Sequence, residues 1–180
     1  MLDIVVTNRQ LCKGNFLDTC AKALQHKPFA LLLREKDLPS DKYIALSSEV
    51  RALCEAHNVT FIPHTHPVTN CQRLHLPFHL ASEELAQKYR LSVSVHSLDE
   101  ALAAQAMGAD FIVAGHIFPT GCKPGLPARG LDFLREICEN VSIPVFAIGG
   151  ITSKNAQSCL DVGAAGLCRM SYHMEDHHGA

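Results

Sequence analysis

The chain has 180 residues, of which 47% are hydrophobic and 19% are charged, and its formal net charge is -2. These values are typical of one globular domain with a full core, so we predict a single domain over residues 1–180, with the last few residues disordered. The near-neutral charge and the lack of a ~20-residue apolar run exclude nucleic acids and membranes as expected partners. The N-terminus has no secretory signal pattern and none of the eight cysteines forms a CxxC motif, so we expect reduced thiols and a cytoplasmic location.

Apolar, β-branched runs alternate with amphipathic segments along the whole chain. The predicted strands are Asp3–Thr7, Phe29–Leu33, Val59–Ile62, Arg73–Leu76, Leu91–Val95, Asp110–Ala114, Ile143–Ala147 and Gly166–Arg169. The predicted helices are Phe16–Gln25, Lys42–His57, Ser82–Tyr89, Leu98–Met107, Gly130–Asn140 and Thr152–Leu160, with short elements at Pro67–Cys71 and from Ser171 onward. This alternation favours a parallel sheet that closes into a compact (β/α)8 TIM barrel, with an open doubly wound sheet as the alternative.

A histidine stands at the end of the sixth predicted strand. His116 opens a loop bounded by Gly115 and Gly125, and ligands of parallel α/β proteins bind at this end of the sheet. Because histidine takes and gives a proton near neutral pH, His116 is a candidate catalytic residue. The alternative is a rim histidine whose ring is bonded to a backbone carbonyl.

The seventh predicted strand is followed by the pair Gly149 and Gly150. Adjacent glycines let backbone N–H groups approach an oxyanion, and a helix beginning near Thr152 would add a favourable dipole. We therefore expect phosphate binding here, with the segment Cys168–Ser171 contributing from the eighth strand. The alternative is a glycine turn that holds no ligand.

Two further sets of polar residues follow predicted strands. Arg34 and Lys36 are spaced so that both can face an anion from an extended chain, or both can be solvated. His64 and His66 lie on one side of an extended segment, so a metal site is conceivable there, although we expect none.

Several segments in the same order resemble the thiamine phosphate synthase and thiazole tautomerase superfamily. They are Val6–Arg9, Leu33–Asp37, Ser94–Ala101, Gly108–Ile112, the loop after Gly115, and Ala147–Thr152. The resemblance covers nearly the whole length. It implies a compact thiamine phosphate synthase-like TIM barrel, usually a homodimer, that acts in thiamine biosynthesis.

The synthases of this superfamily join a pyrimidine pyrophosphate to a thiazole phosphate with the help of magnesium. They have a glutamine where this chain has Leu32, Asn-Asp where it has His64 and Thr65, and an aspartate where it has Gln72. Threonine and glutamine are poor substitutes for charged oxygen ligands around a hard cation. The resemblance therefore weighs against synthase activity.

The loop after the sixth strand resembles the tautomerase branch. It reads Gly115-His116-Ile117-Phe118 and then Thr120-Gly121-Cys122-Lys123. The resemblance implies an isomerase that aromatises a thiazole carboxylate phosphate by proton transfer, with no metal or cofactor and with His116 as the catalytic residue. The substrate-binding residues it implies are Arg34, Lys36, Ser94, Thr120, Gly121, Cys122, Lys123, Gly149, Gly150, Met170 and Ser171.

Three alternatives to this interpretation stay open at this point. The chain could be a thiamine phosphate synthase-like transferase, or it could bind thiazole or thiamine phosphates without turning them over. Within the tautomerase interpretation, Cys122 could carry the proton instead of His116, because a thiol beside Lys123 can have a lowered pKa.

Overall fold

The structure of the protein is a computed structural model that describes residues 1–123 and 125–175. The predicted disorder of the last few residues falls on residues 176–180, which lie outside the described part. The chain forms two compact units. We call residues 2–74 with 169–175 the N-terminal unit, and His75–Cys168 the central unit, to which Met1 also belongs.

Eight strands and seven α-helices are found in the described residues. The strands are β1 (Leu2–Val6), β2 (Ala30–Leu33), β3 (Thr60–Pro63), β4 (Arg73–Pro77), β5 (Arg90–Val95), β6 (Phe111–Gly115), β7 (Val145–Ile148) and β8 (Gly166–Arg169). The helices are α1 (Phe16–Gln25), α2 (Ser40–Ala56), α3 (Glu83–Lys88), α4 (Leu98–Ala106), α5 (Gly130–Asn140), α6 (Ala156–Asp161) and α7 (Ser171–Met174).

The N-terminal unit is built on three parallel strands in the order β3-β2-β1. Ala30 of β2 lies opposite Ile4 of β1 and Thr60 of β3, which sets the register of the three strands. Helix α1 buries Ala23 and Leu24 on one face, and these side chains join a hydrophobic core that includes Met174 of α7. Since the strands are parallel, their carboxyl ends meet at one edge, where polar residues can be grouped.

The central unit is built on strands in the order β8-β7-β6-β5-β4, and its pairs β5–β6, β6–β7 and β7–β8 are parallel. Val95 pairs with Ala114, and Gly115 pairs with Ile148. The rings of Phe111 and Phe146 pack with their centroids 5.0 Å apart. This register places the residues that follow β5, β6 and β7 at a common edge of the sheet.

Most predicted elements are confirmed, and three have the predicted bounds: α1, α5 and β8. The turn predicted at Pro67–Cys71 is confirmed, because the Cys71 N–H donates to the Val68 carbonyl at 3.1 Å. In the described residues no helix is both long enough and apolar enough to cross a membrane.

The predicted start of the sixth helix at Thr152 is wrong. Helix α6 begins at Ala156 and has six residues. The Thr152 N–H donates to Asn155 Oδ1 at 2.7 Å, and Asn155 Nδ2 donates to the Gly150 carbonyl at 3.0 Å. This side-chain turn satisfies backbone groups in a non-helical conformation, which delays the helix. The dipole argument for a phosphate beside Gly150 is therefore lost.

Candidate functional site

His116 is buried, with 6% of its surface exposed, directly after β6. Its Nε2 lies 3.4 Å from the carbonyl oxygen of Leu126, a long contact across the loop. A carbonyl only accepts, so Nε2 carries the proton in this contact and Nδ1 keeps its lone pair. Nδ1 is buried and has no hydrogen-bond partner among the residues the structure describes. The ring therefore keeps one acceptor atom for a ligand.

Gly149 and Gly150 pack directly against the His116 segment. Ile117 and Phe118 donate their backbone N–H groups to the carbonyls of Ile148 and Gly149, at 2.9 and 3.0 Å. A Cβ on Gly149 would lie 2.7 Å from the Cα of His116, and Gly149 has a φ of +104°. This close approach explains why position 149 requires a glycine, whether or not phosphate binds there.

The loop after Phe118 presents the predicted residues from Thr120 to Lys123. The Thr120 carbonyl accepts from the Lys123 N–H at 3.2 Å, and Thr120 Oγ1 accepts from the Cys122 N–H at 3.3 Å. Gly121 and Cys122 are exposed. The turn therefore fixes where the Lys123 side chain leaves the backbone.

His96, which the sequence analysis did not single out, lies beside the predicted site residue Lys123. It follows β5 directly, as His116 follows β6, and this position was the signal that could have revealed it. Its Nε2 lies 3.2 Å from Lys123 Nζ. Burial and then the positive charge of Lys123 lower the pKa of His96, and Arg129 adds to the lowering, while Glu100 opposes it. Two cations, Lys123 and Arg129, and one carboxylate, Glu100, therefore act on His96 at the carboxyl end of β5.

Ser94, predicted to bind substrate, belongs to a buried polar chain in the central unit. Its Oγ lies 2.8 Å from His75 Nε2, and His75 Nδ1 lies 2.9 Å from Ser92 Oγ. A ring held at both nitrogens has one orientation, and this orientation in turn fixes the Ser94 hydroxyl. Ligand binding by Ser94 stays a prediction.

Arg34 and Lys36 belong to the N-terminal unit, where they flank the buried Glu35. Glu35 accepts from Thr7 Oγ1 at 2.7 Å and from the Arg9 N–H at 3.1 Å. The Arg34 N–H donates to Thr7 Oγ1 at 2.9 Å. This network orders the backbone after β2, and the anion-binding roles of Arg34 and Lys36 stay predictions.

Met170 and Ser171 also belong to the N-terminal unit. The Met170 carbonyl accepts from the N–H groups of His173 and Met174, so it starts the short helix α7. Ser171 is exposed, whereas Met170 is partly buried against the hydrophobic core of this unit. Their predicted contribution to phosphate binding stays a prediction.

The residues that would have to hold magnesium do not fit that ion. Thr65 Oγ1 lies 2.6 Å from His64 Nδ1, and the His64 N–H donates to Tyr43 Oη at 2.8 Å. Gln72 is exposed. Among the described residues no group of three or more His, Cys, Asp or Glu is placed to hold a metal ion. A hard divalent cation prefers several charged oxygen ligands, which this arrangement lacks.

A model of the thiamine monophosphate synthase family matches residues 4–172. The chain belongs to this family. It is 34% identical over 178 residues to the thiamine-phosphate synthase of Methanocella arvoryzae, covering 93% of this chain and 84% of the relative. It is 33% identical over 177 residues to the thiamine-phosphate synthase of Alkaliphilus oremlandii, covering 93% of this chain and 85% of the relative.

The fold class predicted from the sequence is confirmed by a solved structure. Thiamine phosphate pyrophosphorylase from Pyrococcus furiosus superposes with a TM-score of 0.85 and 30% identity, covering 97% of this chain and 87% of that one. The chain therefore has the (β/α)8, TIM-barrel-like fold of this family.

The prediction of an isomerase is wrong. The relatives reported above are named as synthases, which are transferases, and the matching solved structure is named as a pyrophosphorylase. That prediction rested on the His116 loop and on the replaced magnesium ligands at Thr65 and Gln72, which are few positions beside the similarity over nearly the whole chain. The place in the thiamine-biosynthesis family is confirmed, whereas the homodimer and the phosphate site stay predictions.

Proposed function

We propose that the chain is a thiamine phosphate synthase-like transferase, which joins a pyrimidine pyrophosphate to a thiazole phosphate. The observation that carries this proposal is the 34% identity, over 93% of the chain, to a protein named thiamine-phosphate synthase. Joining the two substrates displaces pyrophosphate, so negative charge develops on the leaving group. Cations placed beside that group stabilise it.

The central unit supplies such cations. The ammonium of Lys123 lies at the carboxyl end of β5, and the positive charges of both Lys123 and Arg129 act on His96. We place a phosphate or pyrophosphate group of a substrate near this ammonium. The unpaired lone pair of His116 Nδ1 is proposed to accept a hydrogen bond from a donor group of a substrate.

The proposal is tested by measuring pyrophosphate release from the two substrates, with magnesium present, for the wild type and Lys123→Gln. We expect turnover in the wild type and a loss of about tenfold to a hundredfold in Lys123→Gln. Lys88→Gln is the matched control, because Lys88 ends α3 on the helix end away from the carboxyl ends of the strands. Equal turnover in all three proteins would contradict the role of Lys123.

A second candidate function is binding of a thiazole or thiamine phosphate without turnover. Where a synthase would need carboxylate ligands for magnesium, this chain has the contact between Thr65 and His64, and this difference favours binding without turnover. Calorimetric binding of thiamine phosphate by a wild type that releases no pyrophosphate above background would select this function over the transferase.

A further inference from the structure

The side chains of His96 and Lys123 are in contact. Lys123 Nζ lies 3.2 Å from His96 Nε2, and an ammonium has only donors. Nε2 must therefore accept, which requires a neutral ring with its proton on Nδ1. Protonation of Nε2 would replace this hydrogen bond by repulsion between two cations.

The first turn of α4 fixes the other side of the His96 ring. Glu100 Oε2 accepts from the His96 backbone N–H at 2.6 Å and lies 3.6 Å from His96 Nδ1. The carboxylate therefore favours a proton on Nδ1, which leaves Nε2 for Lys123. Ser97 Oγ in turn accepts from the Glu100 N–H at 3.1 Å, so the helix cap fixes the backbone that carries this carboxylate.

The position of Lys123 in the loop explains why a partner for its ammonium group matters. It leaves a turn closed by its own N–H and the Thr120 carbonyl, in a loop that contains the exposed residues Gly121 and Cys122. A lysine side chain has a flexible four-carbon stem, and ordering it on ligand binding costs conformational entropy. A partner that holds the ammonium beforehand reduces this cost.

We propose that His96 is a positioning residue, which as a neutral ring oriented by Glu100 holds the Lys123 ammonium ready for an anionic group of the substrate. The charged groups that act on His96 are Lys123, Arg129 and Glu100. The anion-holding part of this inference rests on the proposed function, whereas the contact between His96 and Lys123 does not.

The contact itself is tested without any substrate. The His96 ring is titrated by NMR, with its signals assigned by their loss in His96→Gln. If Lys123 lies against the ring, Lys123→Gln removes a positive charge and raises the pKa of His96, whereas Lys88→Gln leaves it unchanged. An equal pKa of His96 in the wild type and Lys123→Gln overturns the inference, whatever the turnover of the protein.

The positioning role is tested with inorganic pyrophosphate as the probe, by calorimetry at pH 7.5. We expect His96→Leu to weaken binding about fivefold, and His96→Gln to stay within about twofold of the wild type, because a Gln oxygen can accept from Lys123. His57→Leu, at the end of α2, is the matched control. Equal affinities of His96→Leu and the wild type would overturn the role, even where synthase turnover is found.

Discussion

At the scale of single residues, the backbone of Gly149 packs against the backbone of His116, so a substitution at one position affects the other. The sequence analysis gave the glycine a role in phosphate binding, but the structure shows that any side chain at position 149 would displace the His116 segment. A Gly149 substitution can therefore weaken ligand binding in two ways: by blocking the phosphate site or by displacing the His116 segment. Stability measurements separate them.

We predict that Gly149→Ala lowers the free energy of unfolding by about 2 kcal/mol or more, because it combines a positive φ with a steric clash. Gly121→Ala is the matched control, since among the described residues no atom beyond its chain neighbours lies within 4 Å of the Cβ it would add. Urea denaturation measures the free energy of unfolding of both variants and of the wild type. Similar losses for the two variants would show that the backbone contact with His116 is not the cause.

Tyr43 is a second residue whose role is local. It is buried, its hydroxyl donates to the Leu33 carbonyl at 2.7 Å and accepts from the His64 N–H at 2.8 Å, and burial raises its pKa. Tyr43→Phe leaves both backbone groups without this partner, so we predict a loss of about 1–3 kcal/mol of unfolding free energy. Tyr89→Phe serves as the control in the same denaturation experiment. A loss below 0.5 kcal/mol, roughly the scatter of surface substitutions, would contradict this account.

At the scale of elements, Asp3 of β1 binds His173 of α7 and Arg169, the last residue of β8. Asp3 accepts from Arg169 Nη2 at 2.7 Å and from His173 Nε2 at 2.8 Å. Burial raises the pKa of Asp3, but the hydrogen bonds and charges of His173 and Arg169 outweigh it, so this pKa is lowered. This pairing could not be predicted from the sequence, because its members lie far apart in the chain.

We predict that Asp3→Asn lowers the unfolding free energy by about 3 kcal/mol at pH 7, because it leaves the buried Arg169 guanidinium without its counter-charge. Since the pKa of Asp3 is lowered in the folded state, its stabilisation is complete above the unfolded-state value of about 3.9 and is lost as the pH falls through the folded-state pKa. The difference between wild type and variant should therefore shrink in acid.

Asp132→Asn is the control for this pH series, because Asp132 is fully solvated and its surface pair with Arg135 contributes little. Urea denaturation from pH 7 down to about pH 3 gives both curves. A difference for Asp3→Asn that stays constant over this range would contradict the assigned ionic role of Asp3.

The elements show what a sequence can and cannot predict. Helix α1 has its predicted bounds, and its signals are local: Asn15 caps it and its apolar positions follow the helical period. The start of α6 was missed because Asn155 closes a side-chain turn that a hydrophobic pattern does not register. The pairing of His96 with Lys123 was missed because it joins residues from different strand ends, although each position could be read from the chain.

At the scale of the whole molecule, the chain belongs to the thiamine monophosphate synthase family and has its TIM-barrel-like fold. The order of strands and helices along the chain was enough to predict the (β/α)8 fold, because each strand and helix carries its own periodic signal. The reaction could not be predicted in the same way. The His116 loop and the replaced magnesium ligands favoured an isomerase, whereas the relative that matches over 93% of the chain is named thiamine-phosphate synthase, a transferase.

The measurement that tests the transferase most directly is the formation of thiamine phosphate from a pyrimidine pyrophosphate and a thiazole phosphate by the purified protein. The product is quantified by chromatography, with magnesium present. We predict product in stoichiometric amount with the pyrophosphate released, and a rate well above the reaction without protein. A rate equal to that background in the presence of magnesium would contradict the proposed transferase.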